Sequence, residues 1–215
     1  MFVNVLKQIK IGLLLLILFT FFTGFIYPLI VTGIAQLFFP VKANGSLIEQ
    51  HGKIIGSLLI GQYFDSPTYF WGRPSATTPY PYNSASSTGS NLGPSNYDFL
   101  KTVSDRVNTL QRYHFKDKNP VLTRGELSIT HHVIPIDLVT ASASGLDPEI
   151  SPYAALYQIN RIATVSHIPS KEIENIVNTL IKYRTLGIFG EPRINVLELN
   201  IALDRLRSVS AKETS

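Results

Sequence analysis

The sequence predicts a single N-terminal transmembrane helix followed by one α+β globular domain. The first observation is the run Ile11–Val41, which contains no Lys, Arg, Asp, Glu or His. About 20 apolar residues cross the ~30 Å hydrocarbon core of a bilayer, so Ile11–Ile30 alone is long enough. The second observation is the remainder from Lys42, where short extended segments and amphipathic helices alternate. These roughly 170 residues are enough for one hydrophobic core.

The apolar run divides the chain and suggests an orientation. Lys7, Lys10 and the terminal amine lie on its N-terminal side, and positive charge favours the cytoplasmic face. We therefore expect a single-pass protein of the cell inner membrane whose domain lies outside the cytoplasm. The predicted parts are a cytoplasmic N-terminus (1–10), a transmembrane helix (11–39), an extracytoplasmic α+β domain (42–208) and a frayed tail (209–215).

A cleaved signal peptide is the alternative to a retained anchor. Lys7 and Lys10 resemble a charged n-region, and Gly33-Ile34-Ala35 resembles a small-x-small cleavage site. The apolar region of a signal peptide is about 7–15 residues long, which is shorter than this run. The length therefore favours retention, with Pro28 expected to kink the helix or to mark the interface.

Composition excludes several classes of protein. The formal net charge is +4 in 215 residues, and two of these charges are Lys7 and Lys10, so the domain is close to neutral. No basic patch with interleaved aromatic residues occurs, so no nucleic-acid partner is predicted. The chain has no Cys, which fits an extracytoplasmic domain without requiring one.

The first half of the domain combines extended chain with one long loop. Lys53–Phe64 is rich in apolar and β-branched residues and predicts a strand, and Tyr69–Trp71 continues as extended chain. Gly72–Asn96 is dense in Gly, Pro, Ser and Asn, but its aromatic residues favour a loop ordered against the domain. A helix capped by Ser95 follows, and its apolar pattern fades near Lys116.

The second half predicts three helices after a loop-rich region. Leu127-Ser128-Ile129 and Val133–Val139 are interpreted as strands or buried loop. The later helix starts and stops follow from capping chemistry. The first helix is predicted to start at Ser151-Pro152. The second is predicted to start at Pro169-Ser170 and to end at Gly187. The last is predicted to start at Asn195-x-x-Glu198 and to reach about Ser208.

The sequence contains no self-contained catalytic motif. It has neither a Walker A loop nor the Asp-Lys-Thr-Gly phosphorylation motif of P-type pumps. Ala141–Gly145 does not fit the nucleophile-elbow frame. His131-His132 has no Cys or nearby carboxylate to complete a metal site, so we interpret both as surface residues. The chain is therefore expected not to be an enzyme by itself, and no metal or cofactor is predicted.

Three stretches combine Gly or Pro with charged residues, a pattern typical of fixed backbone turns. They cover residues 69–75, residues 137–148 with 150–152, and residues 190–196. One interpretation is that their charged residues lock loops to one another, and the other is that they contact a partner or ligand. The candidates are Arg73, Asp137, Asp147, Glu191 and Arg193.

These stretches also carry a family resemblance that runs from the membrane span to the last helix. The matching residues are the N-terminal span, Gly56–Phe64, Phe70–Ala76, Ala85–Ser87, Ser90–Ser95, Pro135–Pro152, Tyr157-Gln158 with Arg161, and Gly190–Asn200. In these residues the chain resembles the C subunit of the bacterial Kdp-type potassium-transporting P-type ATPase.

The resemblance implies a non-catalytic accessory and assembly subunit of a high-affinity, ATP-driven K⁺ uptake complex. Its partners would be a K⁺-conducting, channel-like subunit and a P-type ATPase subunit, together with membrane lipid. ATP and K⁺ would then belong to the whole complex. The family is described as a catalytic chaperone that raises the ATP affinity of the pump subunit, and the resemblance assigns the nucleotide contact to Gln158.

Two other hypotheses stay open at this stage. An extracytoplasmic domain cannot reach cytoplasmic ATP, so the first is that the domain stabilises the K⁺-conducting subunit from outside. The second is a membrane-anchored extracytoplasmic enzyme or solute-binding module unrelated to transport. A polar pocket with converging titratable groups would favour this second hypothesis.

Overall fold

A computed structural model describes residues 2–50, 52–114 and 133–213 of the chain. Contacts between Cα atoms divide the chain into two units, residues 1–54 and residues 55–215. The predictions for Leu127-Ser128-Ile129 and for His131-His132 lie outside the described residues.

The first unit consists mainly of one long apolar helix. It comprises α1 (Phe2–Phe21), a π-helical turn (Phe22–Ile26) and α2 (Tyr27–Phe38). Tyr27 separates the π turn from Pro28, which has no N–H to donate, and the Tyr27 N–H reaches five residues back to the Phe22 carbonyl. The part from Asn4 to Phe38 is long and apolar enough to cross a membrane. The predicted membrane-length helix is therefore present, whereas its retention and its orientation stay predictions.

A short helix and two strands follow. Helix α3 spans Pro40–Ala43, and strands β1 (Leu47–Gln50) and β2 (Lys53–Ser57) are neighbours in a two-stranded sheet. The strand predicted over Lys53–Phe64 is wrong beyond Ser57. The Ser57 hydroxyl accepts a hydrogen bond from the Leu59 N–H at 3.0 Å, which turns the chain out of the strand.

After the end of β2 at Ser57, the second unit continues as irregular chain and then forms helix α4 (Tyr97–His114). The predicted cap Ser95 is wrong by one residue, because the Asn96 side chain accepts from the Phe99 N–H at 3.1 Å. A 3₁₀ turn, Ile136–Leu138, stands where Val133–Val139 was interpreted as strand or buried loop. Leu138 and Val139 are buried, so the buried-loop interpretation is right.

Three helices and a small sheet complete the second unit. The helices are α5 (Pro152–Ser166), α6 (Ser170–Leu180) and α7 (Val196–Glu213). Strands β3 (Glu149–Ile150) and β4 (Ile194–Asn195) pair antiparallel. The fold is thus an apolar helix followed by a mixed domain of helices and small sheets, as the sequence predicts.

The helix boundaries follow capping chemistry at two of the three starts. Ser151 accepts a hydrogen bond from the Ala154 N–H at 3.1 Å, and Asn195 accepts one from the Glu198 N–H at 3.1 Å. Helix α6 ends at Leu180 rather than at the predicted Gly187, because the backbone of Lys182 pairs with that of Arg193. Helix α7 continues to Glu213, past the predicted end near Ser208.

The core of the second unit lies where α6 packs against α5 and α7. Its fully buried large apolar side chains come from all three helices, from strand β4, which contributes Ile194, and from one irregular segment, which contributes Phe70. The helical contributions are Ile162, Ile173, Val177, Leu199 and Leu203. Burying Phe70 brings its polar backbone into the core as well, and this backbone requires hydrogen-bond partners.

Candidate functional site

Polar side chains from α5 and α7 hold the irregular segment Ser66–Trp71. The Phe70 N–H donates to Asn200 Oδ1 at 2.8 Å, and Asn200 Nδ2 donates to the Phe70 carbonyl at 3.0 Å. This pair of hydrogen bonds copies the exchange between two residues in an antiparallel sheet. The Asn200 side chain of α7 thus takes the place of a neighbouring strand for the backbone of Phe70.

The next residue is held in the same way from α5. The Trp71 N–H donates to Gln158 Oε1 at 2.8 Å, and Gln158 Nε2 donates to the Trp71 carbonyl at 3.1 Å. Gln158 Nε2 also donates to the Ala154 carbonyl at 3.1 Å, and Oε1 also accepts from Arg161 at 2.7 Å. An amide offers two donors and two acceptor sites, so Gln158 uses its whole capacity within the chain. Gln158 is fully buried, with 0% of its surface exposed.

Arg161 closes one side of this arrangement. Its guanidinium donates to the carbonyls of Pro67 and Tyr69, the latter at 2.9 Å. The same group lies 4.1 Å from the centre of the Trp71 ring, which is close enough for a cation–π contact. Burial lowers the pKa of Arg161 to about 9, so the side chain is still charged at neutral pH.

Arg207 closes the other side. It donates to the Thr68 carbonyl, forms a 3.0 Å ion pair with Asp204, and lies 4.8 Å from the centre of the Tyr69 ring. The Tyr69 hydroxyl donates to Asp204 at 3.0 Å. Burial and this carboxylate raise the pKa of Tyr69. We call the four polar side chains that hold Ser66–Trp71 the clamp; they are Gln158, Arg161, Asn200 and Arg207.

Next to Arg73, an open cleft of about 630 Å³ collects the charged residues that the sequence singled out. They come from three separate stretches, yet all of them line this cleft. They are Arg73, Asp137, Asp147, Glu191 and Arg193. Gln158, the sixth candidate, lies in the clamp and is not part of the lining.

The central ion pair of the cleft joins Arg73 to Asp147. Arg73 Nη1 lies 3.1 Å from Asp147 Oδ2, with side-chain exposures of 29% and 28%. Asp147 Oδ1 also accepts from the Glu149 N–H at 3.0 Å, and Arg73 Nη2 donates to the Ala141 carbonyl at 3.4 Å. These bonds join residue 73 to the loop that precedes α5.

The remaining candidates are paired in the same manner. Asp137 Oδ2 accepts from the Ser151 N–H at 2.7 Å and so fixes the start of α5. The two ion pairs that complete the set are Arg193–Glu149 at 2.9 Å and Arg184–Glu191 at 2.7 Å. These contacts are those expected of residues that lock loops together, while contact with a partner stays a prediction.

The long loop Gly72–Asn96 packs against this region, as the sequence predicts. Ser75 Oγ donates to the Gly145 carbonyl at 2.7 Å, and the Thr88 N–H donates to the Ser144 carbonyl at 3.0 Å. The Tyr82 hydroxyl donates to the Arg73 carbonyl. Burial, and to a lesser extent the charge of Asp147, raise the pKa of Tyr82 to about 12.

Sequence reasoning missed Asn200 and Arg207 of the clamp. Asn200 follows Val196 at a spacing of four and precedes Leu203 at a spacing of three, and both of these apolar residues are buried. A polar residue on the apolar stripe of an amphipathic helix needs a buried partner, and this signal could have identified Asn200. Arg207 lies one further turn along, outside any pattern that the sequence made evident.

The fold and the site define a class of protein: a membrane-length helix joined to one α+β domain whose loops are held by internal polar contacts. A family model described as K⁺-transporting ATPase, c chain (KdpC) matches residues 9–205. The chain belongs to the KdpC family, and family membership makes it a subunit of a K⁺-transporting ATPase.

Curated relatives align with this chain along almost their whole length. The KdpC subunit of the potassium-transporting ATPase of Herpetosiphon aurantiacus is 51% identical over 194 residues, which is 90% of this chain and 94% of the relative. The subunit of Methylococcus capsulatus is 48% identical, covering 94% and 100%. The subunit of Dechloromonas aromatica is 50% identical, covering 88% and 93%.

Proposed function

We propose that this chain is a non-catalytic assembly subunit that stabilises the K⁺-conducting subunit of the transport complex from the extracytoplasmic side. Its long helix would anchor it in the inner membrane with the N-terminus in the cytoplasm. The P-type ATPase subunit would supply the ATP chemistry, for which this sequence has neither a phosphate-binding loop nor a phosphorylation motif.

The observation that carries the proposal is that the polar groups of the candidate site are already hydrogen-bonded or ion-paired within the domain. Gln158 makes four hydrogen bonds within the chain, and the charged residues of the cleft pair with one another or with backbone groups. Groups paired in this way fix the relative positions of the loops. A domain with fixed loops presents a preformed surface, which is what a scaffold for another subunit needs.

The catalytic-chaperone role would instead require Gln158 to contact a nucleotide. A nucleotide contact through its amide would require this fully buried side chain to leave Trp71, Ala154 and Arg161. Breaking such buried hydrogen bonds without replacing them is costly. The nucleotide contact therefore stays a prediction of the family resemblance, and the geometry favours the scaffold.

The alternative of an enzyme or solute-binding module unrelated to transport loses its support. The cleft does bring titratable groups together, but these groups are paired, and the family is that of a transport ATPase subunit. The conducting subunit as partner and the outside location remain part of the proposal.

Protease accessibility tests the location directly. Protease added to intact spheroplasts should digest the domain, and protease added to inverted membrane vesicles should leave it intact. A known cytoplasmic domain of the ATPase subunit serves as the opposite control in both preparations. Digestion only in inverted vesicles would place the domain in the cytoplasm and overturn the scaffold proposal.

A further inference from the structure

A narrow antiparallel ribbon, Lys182–Arg193, connects α6 to α7. The backbone of Lys182 pairs with that of Arg193 through hydrogen bonds of 2.9 and 3.0 Å. Nearer the turn, Thr185 pairs with Phe189 through hydrogen bonds of 2.8 and 3.0 Å. This pairing makes the ribbon a formed element, so the positions of its side chains are defined.

The end of the ribbon carries a cluster of large apolar side chains in solvent. Four of them fall within seven residues, and all four are more exposed than buried. They are Tyr183 (71% exposed), Leu186 (84%), Ile188 (74%) and Phe189 (64%). Clustered apolar exposure of this kind, unlike single exposed residues, marks an interaction surface. We call these four residues the apolar tip.

The backbone of the turn gives a second, independent indication. Leu186 has φ of +54°, in the left-handed region, and the following residue, Gly187, has φ of +74°. Glycine adopts this conformation freely, whereas a bulky residue such as leucine rarely does. Unfavourable backbone conformations tend to persist at functional sites. Leu186 is thus both strained and exposed, which intramolecular packing does not explain.

The charged side chains of the ribbon are neutralised within this chain. Each of them faces an opposite charge, so the ribbon presents an apolar end above a rim of paired charges. The pairs are Lys182–Glu198 at 2.6 Å, Arg184–Glu191 at 2.7 Å and Arg193–Glu149 at 2.9 Å.

We propose that the apolar tip docks into an uncharged apolar groove on the extracytoplasmic surface of the K⁺-conducting subunit. This inference rests on the proposed function and names the contact through which the scaffold acts. An apolar centre surrounded by a polar rim is the anatomy of a protein–protein interface. Adsorption to an anionic bilayer draws instead on free Lys and Arg side chains, and those of the ribbon are held in ion pairs.

The variant Leu186→Asn separates binding from folding. Asparagine accepts the left-handed conformation more readily than leucine, so the thermal stability of the full-length chain should be unchanged or higher. The same change removes the most exposed apolar group of the tip. Complexes purified through a tag on the K⁺-conducting subunit should therefore retain at least tenfold less of this variant than of the wild type after washing.

Leu59→Asn is the matched control, because Leu59 is also an exposed leucine in a turn, at 59% exposure. This control variant should be retained like the wild type. Equal retention of Leu186→Asn and wild type would overturn the docking inference while leaving the scaffold proposal intact. If the wild type itself is not retained, the proposed function fails. Should Leu186→Asn unfold, Ile188→Ser carries the same test.

Phosphatidylglycerol vesicles, without the other subunits, test whether the apolar tip binds a lipid surface instead of the K⁺-conducting subunit. The full-length chain, added in detergent below its solubilising concentration, should give no vesicle flotation that depends on the apolar tip. Flotation that is lost in Leu186→Asn, together with unchanged retention by the K⁺-conducting subunit, would assign the tip to lipid and overturn the inference.

Discussion

Gln158 and Trp71 form a two-hydrogen-bond pair in which a side-chain amide replaces the backbone of a neighbouring strand. Asn200 makes the equivalent pair with Phe70, so two consecutive residues are held from two different helices. The backbone groups of adjacent residues in extended chain point to opposite sides, which allows α5 and α7 each to hold one of them. The segment therefore enters the core without belonging to a sheet.

Replacing Gln158 by Ala should destabilise the domain. The change removes the two hydrogen bonds that Gln158 makes with the backbone N–H and carbonyl of Trp71, and the loss of a buried hydrogen-bond partner costs about 1–3 kcal/mol. Thermal unfolding of the full-length chain measures the loss. Asn160→Ala, at an exposed position of the same helix, is the control and should change the melting temperature little.

The same variant tests the nucleotide role. Under the scaffold proposal, the complexes that still assemble should keep their KM for ATP. A tenfold rise in that KM, with assembly and K⁺ affinity intact, would correspond to about 1.4 kcal/mol of nucleotide-linked binding and would support the catalytic-chaperone description.

The helix caps and the cleft residues show how much of the structure the sequence alone can predict. Ser151 and Asn195 cap helices through local hydrogen bonds, so their short spacing patterns predict the helix starts correctly. The strand predicted through Phe64 is wrong because Gly61 instead donates its N–H to the Leu146 carbonyl at 2.8 Å, a partner 85 residues away. A charged residue next to Gly or Pro is a pattern that identifies each cleft residue separately. That these residues meet in one cleft depends on contacts between distant parts of the chain, which the pattern does not contain.

Breaking the Arg73–Asp147 pair should weaken assembly of the complex. Both side chains are less than one-third exposed, so Arg73→Ala and Asp147→Ala each leave a partly buried charge without its partner. A double-mutant cycle on thermal unfolding should give a coupling energy of about 1 kcal/mol. The exposed pair Lys171–Glu174 is the control, with an expected coupling of at most about 0.5 kcal/mol. Additive effects at Arg73 and Asp147 would contradict the loop-locking interpretation.

Alkaline pH should destabilise the domain partly through Tyr82. Its pKa is raised from 10.0 to about 12, so between these values the folded state keeps a proton that the unfolded chain loses. The stabilisation is complete below pH 10 and falls by up to roughly 3 kcal/mol as the pH approaches 12. Tyr82→Phe should flatten this decline in a series of denaturant unfolding curves.

The pH series has a matched control in Tyr97→Phe, whose side chain is largely exposed. Tyr157 and Tyr69 also have raised pKa values, so some alkaline loss should persist in Tyr82→Phe. An unchanged slope in Tyr82→Phe would show that its hydroxyl does not keep its proton in the folded state.

Mass spectrometry should find the long apolar helix in the mature chain. The run without charged residues exceeds the length of a signal-peptide apolar region, and it forms helix through Phe38. A mature chain that begins at Gln36 would instead identify a cleaved signal peptide.

Gly61 should not tolerate even a methyl group. A Cβ placed there would lie 2.4 Å from Tyr82 Cε1 and 2.7 Å from the backbone carbonyl oxygen of Asp147. Neither atom is the free end of a flexible side chain, so the clash must move the long loop or the loop before α5. Overpacking of this kind costs about 1–3 kcal/mol.

Gly61→Ala should therefore lower the melting temperature of the full-length chain, and the disturbed Asp147 loop should also weaken retention by the K⁺-conducting subunit. Gly93→Ala is the control, because a Cβ at Gly93 meets nothing within 4 Å. The two substitutions add the same atoms to loop glycines and differ only in what surrounds them. Equal melting temperatures would mean that the Gly72–Asn96 loop does not pack tightly on the domain in solution.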